Sequence, residues 1–456
     1  MRVNDVHSRL NPTRVGAVIK PASPGELARM IARAAERGRP FAIAGKRHAM
    51  GGQQFATDAD LIDTTALNRI ISLDRERGIL EAEAGATWPE IIGHCWSVQR
   101  DAAVPWGIVQ KQSGADALTL GGALSANAHG RGLAMRPIVR DVESFTLATP
   151  AGEMVECSRA CNAGLFKQAI GGYGLFGVIG SVKLRLMPRI RLRRVVMEME
   201  ISGLMPAFEG RIRQGCLYGD WQYMIDPKSP DYLRKGIFSC YLPVDASSVM
   251  EGGGLPELSA EKWEELYRLA FTDKGAAYKA YSEYYLATDG QLYWSDTHQL
   301  AVYLENYHGI LENASLMISE LYVPRRTFVA FMDDARKIAL DDRLDIIYGT
   351  VRLIERDDET FLAWAKEDYA CVIFNLRVHH SLAGIEKAAR DFRSLIDAAI
   401  DRGGSYYLTY HRWARKDQVA ACYPQFRDFL DMKSRHDPAG LLRSDWHAHY
   451  QEMFAH

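Results

Sequence analysis

Cysteine is scarce and poorly placed for structural work: seven residues in 456, with no CxxC pair. An odd, scattered set of that kind excludes a disulfide framework and a zinc ribbon. Cys157 and Cys161, the one close pair, read as reduced thiols, so a reducing, cytoplasmic location is expected. Long apolar runs are missing as well. Nothing approaches the roughly 18 residues of a membrane span, and "MRVNDVHSRLNPTRVGAV" holds no apolar core of signal-peptide length. There is no excess of one charge: 55 basic residues face 57 acidic ones, a net of −2. Neither nucleic acid nor an anionic membrane is therefore an expected partner. Histidines do not gather with cysteines or carboxylates at ligand spacing. His379–His380 and His447–His449 each lack a third ligand nearby, and no metal site is expected.

What is present is an ordinary globular composition, 47% apolar and 25% charged, over a length that favours two domains. "SPGELARMIARAAERG" combines a Ser cap, Pro at the first helical position, a 3.6-period apolar face and a closing glycine. "PFAIAG" follows as a short buried strand, and residues 59–88 read as three short strands with turns between them. "SFTLATPAGEMVECS" is a hairpin turning at Pro150–Gly152, and "GVIGSVKLRLMPR" alternates as a strand that ends at Pro188. After residue 191 the character changes, with a tyrosine-rich stretch from Tyr267 to Tyr307 and then alternating strands and helices. That alternation implies a sheet covered by helices.

Three glycine-rich segments carry the chemistry. The first, "AGKRHAMGG", follows the Phe41 strand; the second is "SGADALTLGGALSANAHGRG", residues 113–132. The third, "GGYGLFG", contains a literal GxGxxG at Gly172, Gly174 and Gly177, but a helix precedes it and a strand follows. A dinucleotide fingerprint needs the opposite order, so the Rossmann reading fails and a close-approach backbone loop remains. The small residues between Thr119 and Gly132 suit backbone N–H groups laid against a pyrophosphate and a flat ring.

This trio, over residues 16–190, resembles the FAD-binding domain of the vanillyl-alcohol oxidase / p-cresol methylhydroxylase flavoprotein superfamily. "NAHGRG", "VESFTLATPAGE", "ELYVPRR" and the carboxyl-terminal stretch are similar to decaprenylphosphoryl-ribose oxidase and the alditol and aldonolactone oxidases. The resemblance implies an α+β fold. A PCMH-type two-subdomain FAD-binding domain spans residues 1–190, and an α+β cap with an antiparallel sheet covered by helices spans 191–410. Residues 411–456 then return to the FAD domain. It implies FAD as cofactor, with Ala44, Gly45, Lys46, Arg47, His48 and Ala49 in the first flavin loop. Gly114, Thr119, Gly121, Gly122, Ser125, Asn127 and His129 would form the second, and Gly174, Gly177 and Ile179 would close the third. The first-loop histidine of this superfamily commonly bonds the 8α-methyl of FAD, so His48 is the expected covalent anchor. No cysteine occupies residues 113–132 for a second bond.

The activity implied is hydride transfer from an alcohol carbon of a sugar, polyol or related hydroxylated small molecule to the flavin. Dioxygen or another acceptor would take the electrons. Oxidation of a phenolic substrate is the enzymatic alternative, motivated by the tyrosine-rich cap, and a flavin-binding protein without turnover is the alternative of another class. Candidates to take the substrate proton are Glu320, Tyr410, His411 and His129. Tyr410 stands where the decaprenylphosphoryl-ribose oxidase has a lysine in its YLAK stretch, and Tyr410 and His411 read as adjacent residues of a returning strand. Arg415 and Lys416 are candidates for positive charge near the reduced flavin. Tyr293, Trp294, Asp296 and His298 in "LYWSDTHQ" combine stacking faces with hydrogen-bonding groups and are expected substrate contacts.

Overall fold

The Ser23 cap forms as its sequence dictates: its side chain accepts from the Glu26 N–H at 3.2 Å, and the helix Pro24–Glu36 buries Leu27 and Ile31. The computed structural model describes residues 1–249, 258–300 and 310–455. Residues 301–307 of the tyrosine-rich stretch lie outside them. The strand Phe41–Ala44 pairs in parallel with Asp60–Asp63, which pairs in turn with Val18–Ile19. The carboxyl-terminal stretch adds to this small sheet: Phe41 N–H donates to Leu441 O at 2.8 Å and Arg443 N–H to Phe41 O at 2.9 Å.

A second, antiparallel sheet of six strands runs in the order Met154–Ser158, Val142–Ala148, Val178–Pro188, Ile79–Glu83, Ile70–Asp74, with Trp106–Ile108 paired to the far end of Val178–Pro188. The third glycine segment sits between the helix Ala163–Ala169 and the strand Val178–Pro188, the helix-before-strand order that excludes a dinucleotide fingerprint. Gly177 there has φ +146°, and a Cβ on it would lie 2.6 Å from Ala148 O, so only glycine fits.

The third sheet has eight strands, all antiparallel, in the order Leu292–Trp294, Arg191–Glu200, Lys235–Val244, Tyr218–Tyr223, Ile346–Ile354, Tyr369–His379, Ala314–Pro324, Ser405–Tyr406. Register assigns its two faces, because directly opposed residues point the same way. Leu321, Val372, Val351 and Trp221 oppose one another in a row. Their face packs against the helices Phe328–Asp341 and Leu382–Asp401. The neighbouring row is Glu320, Ile373, Thr350 and Gln222, flanked by Cys371 with Arg352 and by Asn375 with Tyr348. One face is thus a helix-covered apolar core, and the other carries polar side chains toward the FAD-type loops. Among the described residues no helix is long and apolar enough to cross a membrane, and all seven cysteines are free thiols.

Candidate flavin and substrate site

The three glycine segments and the polar sheet face converge on one open cleft with a cavity volume of about 210 Å³. Gly45, Lys46, Arg47, His48 and Ala49 line it, as do Thr119, Gly121, Gly122, Ser125 and His129, and Gly174, Gly177 and Ile179. Ala44 sits behind them, buried in its strand. Gly114, at φ +90°, and Asn127, at φ +48°, shape the second loop from behind. Asn127 is fully buried and donates to Asp357 at 2.9 Å.

The backbone here tolerates no added bulk. A Cβ on Gly45 would stand 2.3 Å from Thr119 Oγ1, so the first and second loops touch backbone to side chain. Arg47 holds a left-handed φ of +62°, the kind of strain that persists at sites where the surroundings enforce it. Its guanidinium pairs with the buried Asp63 at 3.3 Å. Four buried polar atoms that line this cleft, Gln53 Oε1, Gln54 Oε1, Ser113 Oγ and Asn375 Oδ1, meet no hydrogen-bond partner within the protein. Close-approach glycines and orphaned polar groups in the residues that line the cleft fit a flat, hydrogen-bonding cofactor.

Glu320 is the one carboxylate among the described residues lining the cleft. Its Oε1 accepts from His129 Nε2 at 3.1 Å and from the Cys371 thiol at 3.3 Å, and its Oε2 from the Tyr322 hydroxyl at 3.4 Å. Burial alone would raise its pKa. The His129 imidazole and its hydrogen bond, with Arg352 and Cys371, outweigh that and hold it below the ordinary carboxylate range. His129 Nδ1 lies 3.0 Å from Gly130 O, so the ring is held between that carbonyl and the Glu320 carboxylate. His129 is boxed by Trp364 and Tyr407, at ring distances of 5.1 and 6.4 Å. Trp364 also donates to Asn127 O at 3.1 Å. The atoms of His129, Glu320 and Cys371 lie within 4.8 Å of one another, close enough to suit a cation. Burial, and then the charge of Glu320, drives the Cys371 thiol well above its usual range; the protonated thiol is the form that donates rather than ligates.

The carboxyl-terminal return corrects one expectation. The strand ends at Tyr406, and Tyr410 and His411 lie in the loop beyond it, not on a strand. The reason is a contact distant in the chain: Gln53 Nε2 donates to the carbonyls of Leu408 and Thr409, at 3.1 and 2.9 Å, taking acceptors that a neighbouring strand would need. Tyr410 lines the cleft, edge-on to Tyr407 at 5.5 Å. Burial, and then Glu320, lifts its phenol well above the usual range, so it stays protonated at neutral pH and can donate a hydrogen bond. His411 is outside the lining, stacked on Tyr406 and Trp413 at 5.9 and 5.4 Å. Burial, then Arg393, pushes it down to about 3, and a neutral packed imidazole results.

The "LYWSDTHQ" residues are not brought to the cleft either. Asp296 pairs with Arg189 at 2.7 Å, both almost fully buried, and Arg189 lies over Trp96 and Trp294. His298 is buried against Tyr218 and Tyr241, and Tyr293 packs edge-on to Tyr241. Arg415 pairs with Asp397 and Asp417 at the surface, and Lys416 lies over the Phe454 ring. On the sheet side the cleft is lined by the cation Arg352, together with Tyr348 and Asn375. A charged residue inside the alternating strand "IIYGTVRLI" was the available signal for it. His7, which also lines the cleft, left no signal in spacing, being 41 residues from its partner His48.

Loops built for close backbone approach, on a two-sheet base under an antiparallel cap sheet, define a flavin-binding protein. Residues 15–158 match the FAD binding domain family; this region is an FAD-binding domain of the PCMH-type superfamily, and FAD is its cofactor. Similar proteins include L-gulono-1,4-lactone dehydrogenase of Mycobacterium tuberculosis, 30% identical over 39% of this chain and 39% of the relative. Cytokinin dehydrogenase 10 of Oryza sativa subsp. japonica is 29% identical over 38% of this chain and 32% of its own. L-gulonolactone oxidase of Mus musculus is 27% identical over 38% of each. The chain thus matches about a third to two-fifths of the length of these relatives.

Proposed function

We propose that this protein is an FAD-dependent oxidoreductase that oxidises an alcohol carbon of a sugar-like or polyol substrate. The observation that carries the proposal is the position of Glu320. It is an ionised, triply hydrogen-bonded carboxylate on the polar sheet face, lining the same cleft as the glycine loops. Bound FAD supplies the hydride acceptor. Glu320 takes the hydroxyl proton as the C–H bond breaks, and the His129 ring 3.1 Å from it fixes the orientation of the carboxylate. Arg352, Asn375 and Tyr348 offer a charged and hydrogen-bonding floor suited to several hydroxyl groups. The lactone named in two relatives agrees with that class of substrate. Electrons then pass to dioxygen or another acceptor.

A second reading, a phenolic substrate, draws on one feature. An aromatic side cavity lined by Tyr223, Trp263, Tyr267, Tyr278 and Tyr281 adjoins the cleft, and Tyr348 lines both. Anaerobic mixing with polyols, lactones and phenols separates the readings. Bleaching of the yellow flavin by polyols or lactones is the expected result, bleaching by phenols alone favours the second reading, and bleaching by nothing favours a flavin-binding protein without turnover. His48, in the first loop and facing the cleft, is proposed as the covalent anchor of FAD. Acid precipitation is expected to leave a yellow pellet from the unchanged protein and a colourless one from His48→Ala. Free FAD in the supernatant of the unchanged protein would refute the bond.

A further inference from the structure

Among the described residues, three metal-ligating side chains from separate stretches of the chain meet at one point. His129 belongs to the second glycine loop, Glu320 to the strand Ala314–Pro324 and Cys371 to the strand Tyr369–His379. Separations of 191, 51 and 242 residues hide the group from any reading of ligand spacing. His129 Nε2 lies 3.1 Å from Glu320 Oε1, the Cys371 sulfur 3.3 Å from the same oxygen, and the sulfur 3.9 Å from Nε2. All three side chains are buried, yet His129 and Glu320 line the cleft, from which an ion can reach them.

We propose that His129, Glu320 and Cys371 form a zinc-binding site, and that zinc held there inhibits the enzyme by occupying the oxygen that takes the substrate proton. The inhibition rests on the role proposed above for Glu320; the binding does not. Zinc bonds of about 2.0–2.3 Å to N, O and S donors at tetrahedral angles set those donors about 3.3–3.6 Å apart. The three separations here lie on either side of that range, and shifts of about 0.3 Å bring them into it. The supporting contacts are also those of a zinc centre. A ligating histidine rests its other nitrogen on a carbonyl or carboxylate, and a ligating carboxylate is itself hydrogen-bonded. His129 Nδ1 lies 3.0 Å from Gly130 O, and Glu320 Oε2 accepts from the Tyr322 hydroxyl at 3.4 Å. The mixed nitrogen, oxygen and sulfur set favours zinc over magnesium or calcium, which take oxygen. Three protein ligands leave a fourth position to water. Without the ion the Cys371 thiol is protonated and donates to Glu320. A coordinating metal releases that proton to solvent, and the charge of Arg352 favours the thiolate. Carboxylate and thiolate together then balance the two charges of the ion.

The test uses the FAD-loaded protein with zinc or cadmium alone. Equilibrium dialysis is expected to find zinc bound at one site per chain through Cys371, and cadmium in its place should give the near-ultraviolet absorption of a thiolate–metal bond. Cys371→Ala and Cys371→Ser are expected to weaken zinc binding about 100-fold and to abolish the cadmium band. Serine keeps a donor to Glu320, so it decides the matter if the alanine variant fails to fold. Cys161→Ser, which removes the exposed thiol, should change neither readout. Unchanged zinc affinity in Cys371→Ser, or a cadmium band lost with Cys161 instead, overturns the site. In anaerobic mixing, zinc should slow flavin reduction with an inhibition constant equal to its dissociation constant, and EDTA should restore the rate. Zinc that binds through Cys371 yet leaves the rate unchanged overturns the inhibition and counts against Glu320 as the base. A protein that no substrate reduces defeats the proposed activity and the inhibition with it, while dialysis and the cadmium band still decide the site.

Discussion

Glu320→Gln is expected to slow flavin reduction by substrate between about 100- and 10,000-fold while FAD stays bound. Glutamine fills the same space on the Ala314–Pro324 strand and can still accept from His129, so the loss isolates the base rather than the fold. The carboxylate in place is already ionised: the His129 hydrogen bond, Arg352 and Cys371 overcome the penalty of burial. It is therefore ready to accept a proton without first losing one. Tyr410→Phe is the contrasting variant. Its phenol is pushed well above the usual range by burial and by Glu320, so it can donate a hydrogen bond but does not act as a base near neutral pH. Removing one hydrogen bond costs about 0.5–1.5 kcal/mol, which corresponds to a drop of roughly tenfold or less. Rapid anaerobic mixing, following the loss of flavin absorbance, measures both. Equal effects from the two variants, or an unchanged rate in Glu320→Gln, would remove Glu320 from the chemistry.

Much of this architecture was legible because local chemistry decides it. Ser23, Pro24 and the apolar face of the first helix specify it without help. The inverted order around "GGYGLFG" was readable for the same reason, since helix and strand periodicity flank it on either side. The loops recognised by resemblance, around His48 and around Gly121, do line one cleft. What spacing could not reveal depends on pairings distant in the chain. Arg352, Asn375 and Glu320 share a face only because of the register between three strands, and no local pattern states that register. The turn at Tyr410 follows from a glutamine amide 356 residues away capturing the Thr409 carbonyl. His7 reaches His48 through hydrogen bonds from Val6 and Asn11 to the first loop, which sequence periodicity does not encode.

Asp296 poses the sharpest contrast between a side chain's chemistry and its position. An acid amid tyrosine, tryptophan and histidine has the composition of a sugar contact, yet its carboxylate is fully buried against Arg189 at 2.7 Å, away from the cleft. Arg189 in turn lies between the faces of Trp96 and Trp294, at 3.7 and 4.7 Å from their centroids. Gly107 is packed so tightly beside the pair that a Cβ there would meet Arg189 Cγ at 2.7 Å. Removing one partner of such a pair leaves a buried charge uncompensated, at a cost of about 3–5 kcal/mol. Asp296→Ala is therefore expected to lower the urea midpoint of unfolding strongly, while the molecules that fold and load FAD reduce it at nearly the unchanged rate. The double variant Asp296→Ala, Arg189→Met should recover much of the loss, because it replaces the stranded cation with an apolar chain of similar length, and replacing a buried pair in this way is often close to neutral. A substrate contact would behave in the opposite manner. The single variant would keep its unfolding midpoint and lose affinity for substrate, and the second substitution would rescue nothing. Urea titration followed by tryptophan fluorescence, with substrate titrations on the same preparations, distinguishes the two outcomes, and the buried ion pair with Arg189 favours the first.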